Sequence, residues 1–363
     1  MTWQEKRAKR AFLALEDGSV FDGYSVGFPA DTVGEVVFNT GMTGYQEILS
    51  DPSYAGQFVT LTAPEIGNYG CCAEDAESRG TFLNGLVIHE LNEPSNYRAE
   101  TSLGQFLHDR RIPAIAGVDT RSLTLKIREK GSQKAFMHVE DSPLSRIDAV
   151  AAARKWCGLN HQDYAAKVSV EAPYCWNDSG KFLVAAYDFG IKYNILRRLA
   201  DHDMRVMVFP ARTPAAELLA VKPDGIFLSN GPADPTALDY AAENVRALLG
   251  KAPIMGICLG HQLLGLACGA GCAKLKFGHH GGNHPVRNLC TGAVEITSQN
   301  HNYALENLPD TLQLTHVNLN DGTVEGFRHR ELPAFGVQYH PEAAPGPHDA
   351  EYLFTEFVKL MEK

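Results

Sequence analysis

The chain has 363 residues, 44% of them hydrophobic and 21% charged, with a formal net charge of −10. This balance excludes a largely disordered chain and argues against a broad nucleic-acid surface, which needs clustered Lys and Arg. At roughly 150 residues per domain, the length predicts two domains or three.

In chain order, short strand-like runs at 11–15, 35–38, 58–61, 85–88 and 114–118 alternate with turn signals, and helical spacing appears at 102–110 and 121–128, closing at Gly131. This part reads as an α/β domain over 1–145. Residues 146–180 read as a linker, with an Ala-rich helix at 147–156 and a polar stretch ending Asn177-Asp178-Ser179-Gly180. From 181 to 363 the pattern becomes strand, helix, strand, helix. The strands are at 182–187, 205–209, 225–228, 253–257 and 334–339, and the helices at 194–200, 214–220, 240–249 and 261–268. Continuous apolar strands separated by helices predict a mostly parallel sheet covered on both faces, with ligands at the carboxyl ends of its strands.

No apolar run approaches the ~18 residues of a membrane span, and the apolar stretch at 11–15 is shorter than a signal-peptide core of about 7–15 residues. The chain therefore reads as cytoplasmic, without membrane or nucleic-acid partners. Its eight cysteines are sparse and read as free thiols in a reducing compartment.

One cysteine has a different context. Cys258 lies at a predicted strand-to-helix junction with Gly256 and Gly260 on either side, the arrangement of a nucleophile elbow with sulfur in place of hydroxyl. The following helix points its positive end at the sulfur and favours a thiolate. A thiolate nucleophile needs a base. At the end of a predicted strand, His340-Pro341-Glu342 offers an imidazole and a carboxylate to orient it. The turn Leu228-Ser-Asn-Gly231-Pro-Ala233-Asp-Pro235 presents backbone N–H groups suited to an oxyanion. Taken singly, these are also a buried cysteine beside packing glycines, a histidine in a surface turn and an ordinary loop; together they favour a Cys258–His340–Glu342 triad.

Gly256-Ile-Cys258-Leu-Gly-His-Gln262 with His340-Pro-Glu342 resembles the class I, triad-type glutamine amidotransferases, whose glutaminase domain is a flavodoxin-like α/β fold. The 228–235 turn, Lys276-Phe-Gly-His-His-Gly-Gly-Asn-His-Pro285 and Gln299-Asn-His301 narrow this to the small subunit of carbamoyl-phosphate synthetase. In the N-terminal part, Gly34-Glu-Val-Val-Phe-Asn-Thr40, Met42-Thr-Gly-Tyr-Gln-Glu-Ile-Leu49, Asp51-Pro-Ser-Tyr54 and Asp119-Thr-Arg121 agree. The resemblance implies that Cys258 attacks the side-chain amide of L-glutamine, that His340 protonates the leaving ammonia, and that a glutamyl thioester is hydrolysed. It also implies an oxyanion hole from the N–H groups of Leu259 and Gly231. Glutamine contacts carry over to Ser53, Gly231, Ala233, Leu259, Gln262, Asn300, Asn302 and Tyr303, with Ser53 reaching in from the N-terminal domain.

No Gly-x-x-x-x-Gly-Lys-[Ser/Thr] loop is present. The resemblance accordingly implies no cofactor in this chain, with ATP and a divalent metal on a large partner subunit that receives the ammonia for carbamoyl phosphate synthesis, serving arginine or pyrimidine formation or both. An amidotransferase for another acceptor is disfavoured by the N-terminal domain, and a non-catalytic regulatory subunit by the intact triad. Asp188-Phe-Gly190 matches a kinase metal motif but lacks the companion motifs, and Cys268 and Cys272 near His279, His280 and His284 do not read as a metal site. Ala233 and Asn302 stand where the family often has glycine. Alanine is expected at negative φ and asparagine in the left-handed region, so valine at 302 should be resisted.

Overall fold

The structure is a computed structural model that describes residues 9–140, 142–232 and 234–362. The chain forms two compact units, one running to Asn160 and including Lys276–His280, the other comprising His161–Leu275 and Gly281–Lys363.

In the first unit, strands β1 (Arg10–Leu15), β2 (Val20–Ser25), β3 (Thr32–Asn39), β4 (Gln57–Leu61), β5 (Gly85–Val87), β6 (Ala114–Ala116) and β7 (Gln133–His138) close into a barrel in the order β1-β2-β6-β5-β4-β3-β7. The wall separates two apolar clusters by the period-2 alternation of its strands. Val36, Phe38, Phe58, Val87 and Ile115 face one cluster, and their neighbours Val37, Val59, Leu86 and Ala114 face the other. Helix α1 (Tyr45–Ser50) and helix α2 (Leu103–Asp109) cover the second cluster, and helix α3 (Thr120–Lys130) contributes Leu123 and Ile127 to the first. The Ser102 side chain caps α2 by accepting from the Gln105 N–H, and Gly131 ends α3 at φ 94°. Within the stretch 146–180, helix α4 (Arg146–Lys155) belongs to this first unit.

The second unit is a three-layer α/β structure. Strands β8 (Tyr174–Cys175), β9 (Phe182–Asp188), β10 (Met204–Pro210), β11 (Gly225–Leu228), β12 (Ile254–Ile257), β13 (Gly271–Asn288), β14 (Val294–Glu306), β15 (Leu312–Asn318), β16 (Val324–His329) and β17 (Ala334–Val337) form one sheet. Their order is β8-β10-β9-β11-β12-β17-β16-β15-β13-β14. The five central strands β10, β9, β11, β12 and β17 are parallel. Strands β17, β16, β15 and β13 continue as an antiparallel wing. Alternate residues of β9 explain the two-sided cover. Ala185 and Tyr187 join one core with helices α6 (Ala215–Ala220), α7 (Asp239–Leu248) and α8 (Leu259–Ala267). Val184 and Ala186 join the other with α5 (Tyr193–Asp201) and α9 (Tyr352–Met361). Neighbouring parallel strands place Asp188 at the carboxyl end of β9, and Ser229, Cys258 and His340 beyond the carboxyl ends of β11, β12 and β17, where such sheets bind ligands. All eight cysteines are unpaired. No helix among the described residues is long and apolar enough to cross a membrane.

Candidate active site

Cys258 is the residue between β12 and α8, with φ 52° and ψ −105° and only 2% of its surface exposed. A side chain in this part of backbone space is strained, and the surroundings must hold it there. They do so through glycines that permit close approach. A Cβ on Gly256 would sit 2.7 Å from the backbone of Gly260, and one on Gly260 would sit 2.1 Å from the carbonyl oxygen of Leu228. The Cys258 N–H donates to the Val337 carbonyl at 2.9 Å, which ties the elbow to the neighbouring strand. The thiol lies 3.6 Å from the carbonyl oxygen of Asn300.

Three residues beyond the end of β17, His340 follows with its N–H donating to the Ser298 carbonyl at 2.9 Å. Its Nδ1 lies 2.7 Å from Oε1 of Glu342, so Nδ1 carries the hydrogen and Nε2 is turned to other work. Nε2 is buried and has no hydrogen-bond partner among the described residues. Glu342 is fully buried. Its Oε1 also accepts from Lys192 Nζ at 3.0 Å, and the same ammonium donates to the Ala343 carbonyl at 2.6 Å. Asn194 Nδ2 donates to the Glu342 carbonyl. These contacts hold a tight turn in which Ala343 and Ala344 both have positive φ, 55° and 51°.

The electrostatics follow from this arrangement. Burial alone would raise the Glu342 carboxyl, but Lys192 and His340 overcome it and hold the group at about 2. Burial alone would lower the His340 imidazole; the charge of Glu342 first, then the interaction with Cys258, carry it up to about 10. The Cys258 sulfur is thus within interaction range of the His340 imidazole. That pairing suits a cysteine nucleophile beside a proton donor.

The turn at Gly231 closes against the elbow. A Cβ on Gly231 would meet the Phe189 carbonyl oxygen at 2.1 Å and Leu259 Cδ2 at 3.0 Å, so Gly231 lies directly beside Leu259. Leu259 opens helix α8, where the first N–H groups have no acceptor within the helix. Gln262 is buried, and its Nε2 donates to the Tyr303 carbonyl at 2.8 Å and to Gln338 Oε1 at 2.9 Å. The Gln262 amide therefore fixes the backbone at Tyr303. Asn300, Asn302 and Tyr303 lie together in β14. The left-handed conformation expected at Asn302 is not found, because strand pairing extends the backbone there. The objection to valine at this position falls with it. Ala233 lies outside the described residues. Ser53 belongs to the first unit, in the short helical turn Pro52–Tyr54, with its N–H donating to Asp51 Oδ1 at 2.9 Å.

Lys192 and Asn194 were missed in the sequence. The available signal was a lysine set among apolar residues in Gly190-Ile-Lys-Tyr-Asn-Ile-Leu196, where a charge has no reason to be unless it is paired.

Comparison with known proteins shows the family. The family profile for the Carbamoyl-phosphate synthase small chain, CPSase domain, matches residues 13–137, and that for Glutamine amidotransferase class-I matches residues 185–360. The chain is 51% identical to the carbamoyl phosphate synthase small chain of Syntrophotalea carbinolica over 98% of both chains. It is 49% identical to that of Aquifex aeolicus over 97% of this chain and 99% of that one. With the small chain of Chlorobaculum tepidum it shares 51% identity over 97% of this chain and 98% of that one. Near-complete coverage at this identity, with both domains matched in order, establishes that the chain belongs to the carbamoyl phosphate synthase small chain family and carries a class-I glutamine amidotransferase domain.

Proposed function

We propose that the chain hydrolyses L-glutamine through a thioester on Cys258 and delivers ammonia to a larger ATP-using subunit that makes carbamoyl phosphate. The observation that carries this reading is the buried Cys258–His340–Glu342 constellation, with His340 Nε2 left free of other hydrogen bonds. The Cys258 sulfur attacks the side-chain amide carbon, and the carbonyl oxygen takes up negative charge between the N–H groups of Leu259 and Gly231. The imidazolium of His340 gives its Nε2 proton to the departing nitrogen, which leaves as ammonia. His340, now neutral, takes a proton from water as the water attacks the thioester, and glutamate departs. Glu342 keeps the imidazole in one tautomer, and Lys192 keeps Glu342 charged.

Glutamine is held by Ser53, Gly231, Ala233, Leu259, Asn300, Asn302 and Tyr303, with Gln262 acting through the Tyr303 backbone. ATP and its metal bind the partner, and the complex works in the cytoplasm for arginine or pyrimidine synthesis or both. The test is Cys258→Ala in the full chain assembled with its partner. Glutamine-dependent carbamoyl phosphate synthesis should vanish while synthesis from added ammonia persists. Equal loss with both nitrogen sources would refute the division of labour.

A further inference from the structure

The segment Asp188–Lys192 connects β9 to α5, and its first three residues match a kinase metal motif that plays no part in the chemistry above. Asp188 is buried, 2% exposed. Its Oδ1 accepts from the N–H groups of Gly190 and Ile191, both at 2.8 Å, and its Oδ2 from the N–H of Val170 at 2.8 Å. The two loop donors fold the loop back onto the carboxylate, the Val170 N–H ties it to an earlier segment, and Gly190, at φ 128°, makes the bend.

The folded loop touches both halves of the catalytic apparatus. On one side the Phe189 N–H donates to Ser229 Oγ at 2.9 Å, and the Phe189 carbonyl presses against Gly231 so closely that no side chain fits there. A Cβ on Gly190 would lie 3.2 Å from Gly231 Cα. On the other side the loop ends in Lys192, whose N–H donates to Asn230 Oδ1 at 3.2 Å and whose ammonium reaches Glu342.

We infer that Asp188 is a positioning residue that sets, through one loop, both the oxyanion turn at Gly231 and the lysine that holds Glu342. This inference rests on the glutaminase reading. The Asp188 carboxylate touches neither substrate nor the reacting atoms; it orders the backbone from which both contacts project. A displacement of about 1 Å in such supports can cost about 100-fold in rate, and here two supports move together.

The experiment uses the full chain assembled with its synthase partner. Asp188→Ala should lower kcat for glutamine hydrolysis about 100-fold, leave KM for glutamine within about threefold, and leave ammonia-dependent synthesis intact. Asp188→Asn keeps one carbonyl oxygen for the Gly190 and Ile191 N–H groups and should restore kcat to within about tenfold of the unaltered chain. The double variant Asp188→Ala with Lys192→Met should be little worse than the poorer single variant, because both act through one loop. The inference is overturned by a normal kcat in Asp188→Ala, by losses that multiply in the double variant, or by an equal fall in ammonia-dependent synthesis. Should Asp188→Ala not assemble, Ser229→Ala, which removes the hydroxyl that accepts from the Phe189 N–H and donates to the Asn230 carbonyl, decides: a loss confined to kcat supports the inference and an unchanged kcat overturns it. Absence of glutamine hydrolysis in the unaltered complex would instead remove the glutaminase reading itself.

Discussion

Replacing Lys192 by methionine keeps the volume of a buried side chain and deletes its charge. The ammonium sits 3.0 Å from Glu342 Oε1, with the two side chains 5% and 0% exposed. At that separation the attraction is about 5 kcal/mol for an effective dielectric near 20, and breaking a buried pair by removing one partner typically costs about 3–5 kcal/mol. The depression of Glu342 from 4.5 to about 2 is a second route to the magnitude, worth about 3 kcal/mol in total, with Lys192 its largest favourable cause. A carboxyl lowered by folding contributes stability that is present above its unfolded value and is lost as pH falls through the folded one. The Lys192→Met deficit should therefore be full at pH 7 and shrink as pH falls from about 4.5 toward 2. Thermal unfolding of the amidotransferase unit should show a midpoint lower by about 10 °C at neutral pH. Glutamine hydrolysis should fall about 10- to 100-fold in kcat with KM little changed, because Glu342 and the Ala343–Ala344 turn lose their anchor. A variant within about 1 kcal/mol of the unaltered chain, with normal kcat, would refute the assignment of Lys192 as the counter-charge of the site.

Cys258→Gly should be inactive yet more heat-stable by about 1 kcal/mol, since glycine releases the strain of φ 52° and ψ −105° while adding unfolded-state entropy; a lowered melting temperature would argue against stored strain at the elbow. Glu342→Gln removes the leading cause that raises His340. Because a raised imidazole keeps its proton below its folded value, glutamine hydrolysis in the unaltered chain should persist until pH nears about 10. In the Gln variant the alkaline loss should move down toward or below 6.5, as a pH–rate profile would reveal; an unmoved limb would mean that Glu342 does not govern the imidazole.

What the sequence determined by itself was local. The strand–turn–helix of 254–267 is written in Gly256, Cys258 and Gly260, because a turn that tight admits no Cβ on either glycine, and this is a matter of a few neighbouring residues. Continuous apolar strands separated by helices likewise predicted a parallel sheet with two covered faces, and β9 to β12 lie within a residue or two of the runs read for them. Closure of the N-terminal barrel was not legible, since it depends on β1 meeting β7 through pairs such as Leu13 with Met137, which no local pattern encodes. The antiparallel wing was missed for a related reason: β13 and β14 are polar and irregular, and their pairing rather than their composition makes them strands. That same pairing extends Asn302, where intrinsic preference pointed to a left-handed residue. Tertiary structure alone decided the lysine partner of Glu342. Lys192 stands 150 positions away, and only folding brings a buried cation and a buried carboxylate together, because neither charge is tolerated there without the other.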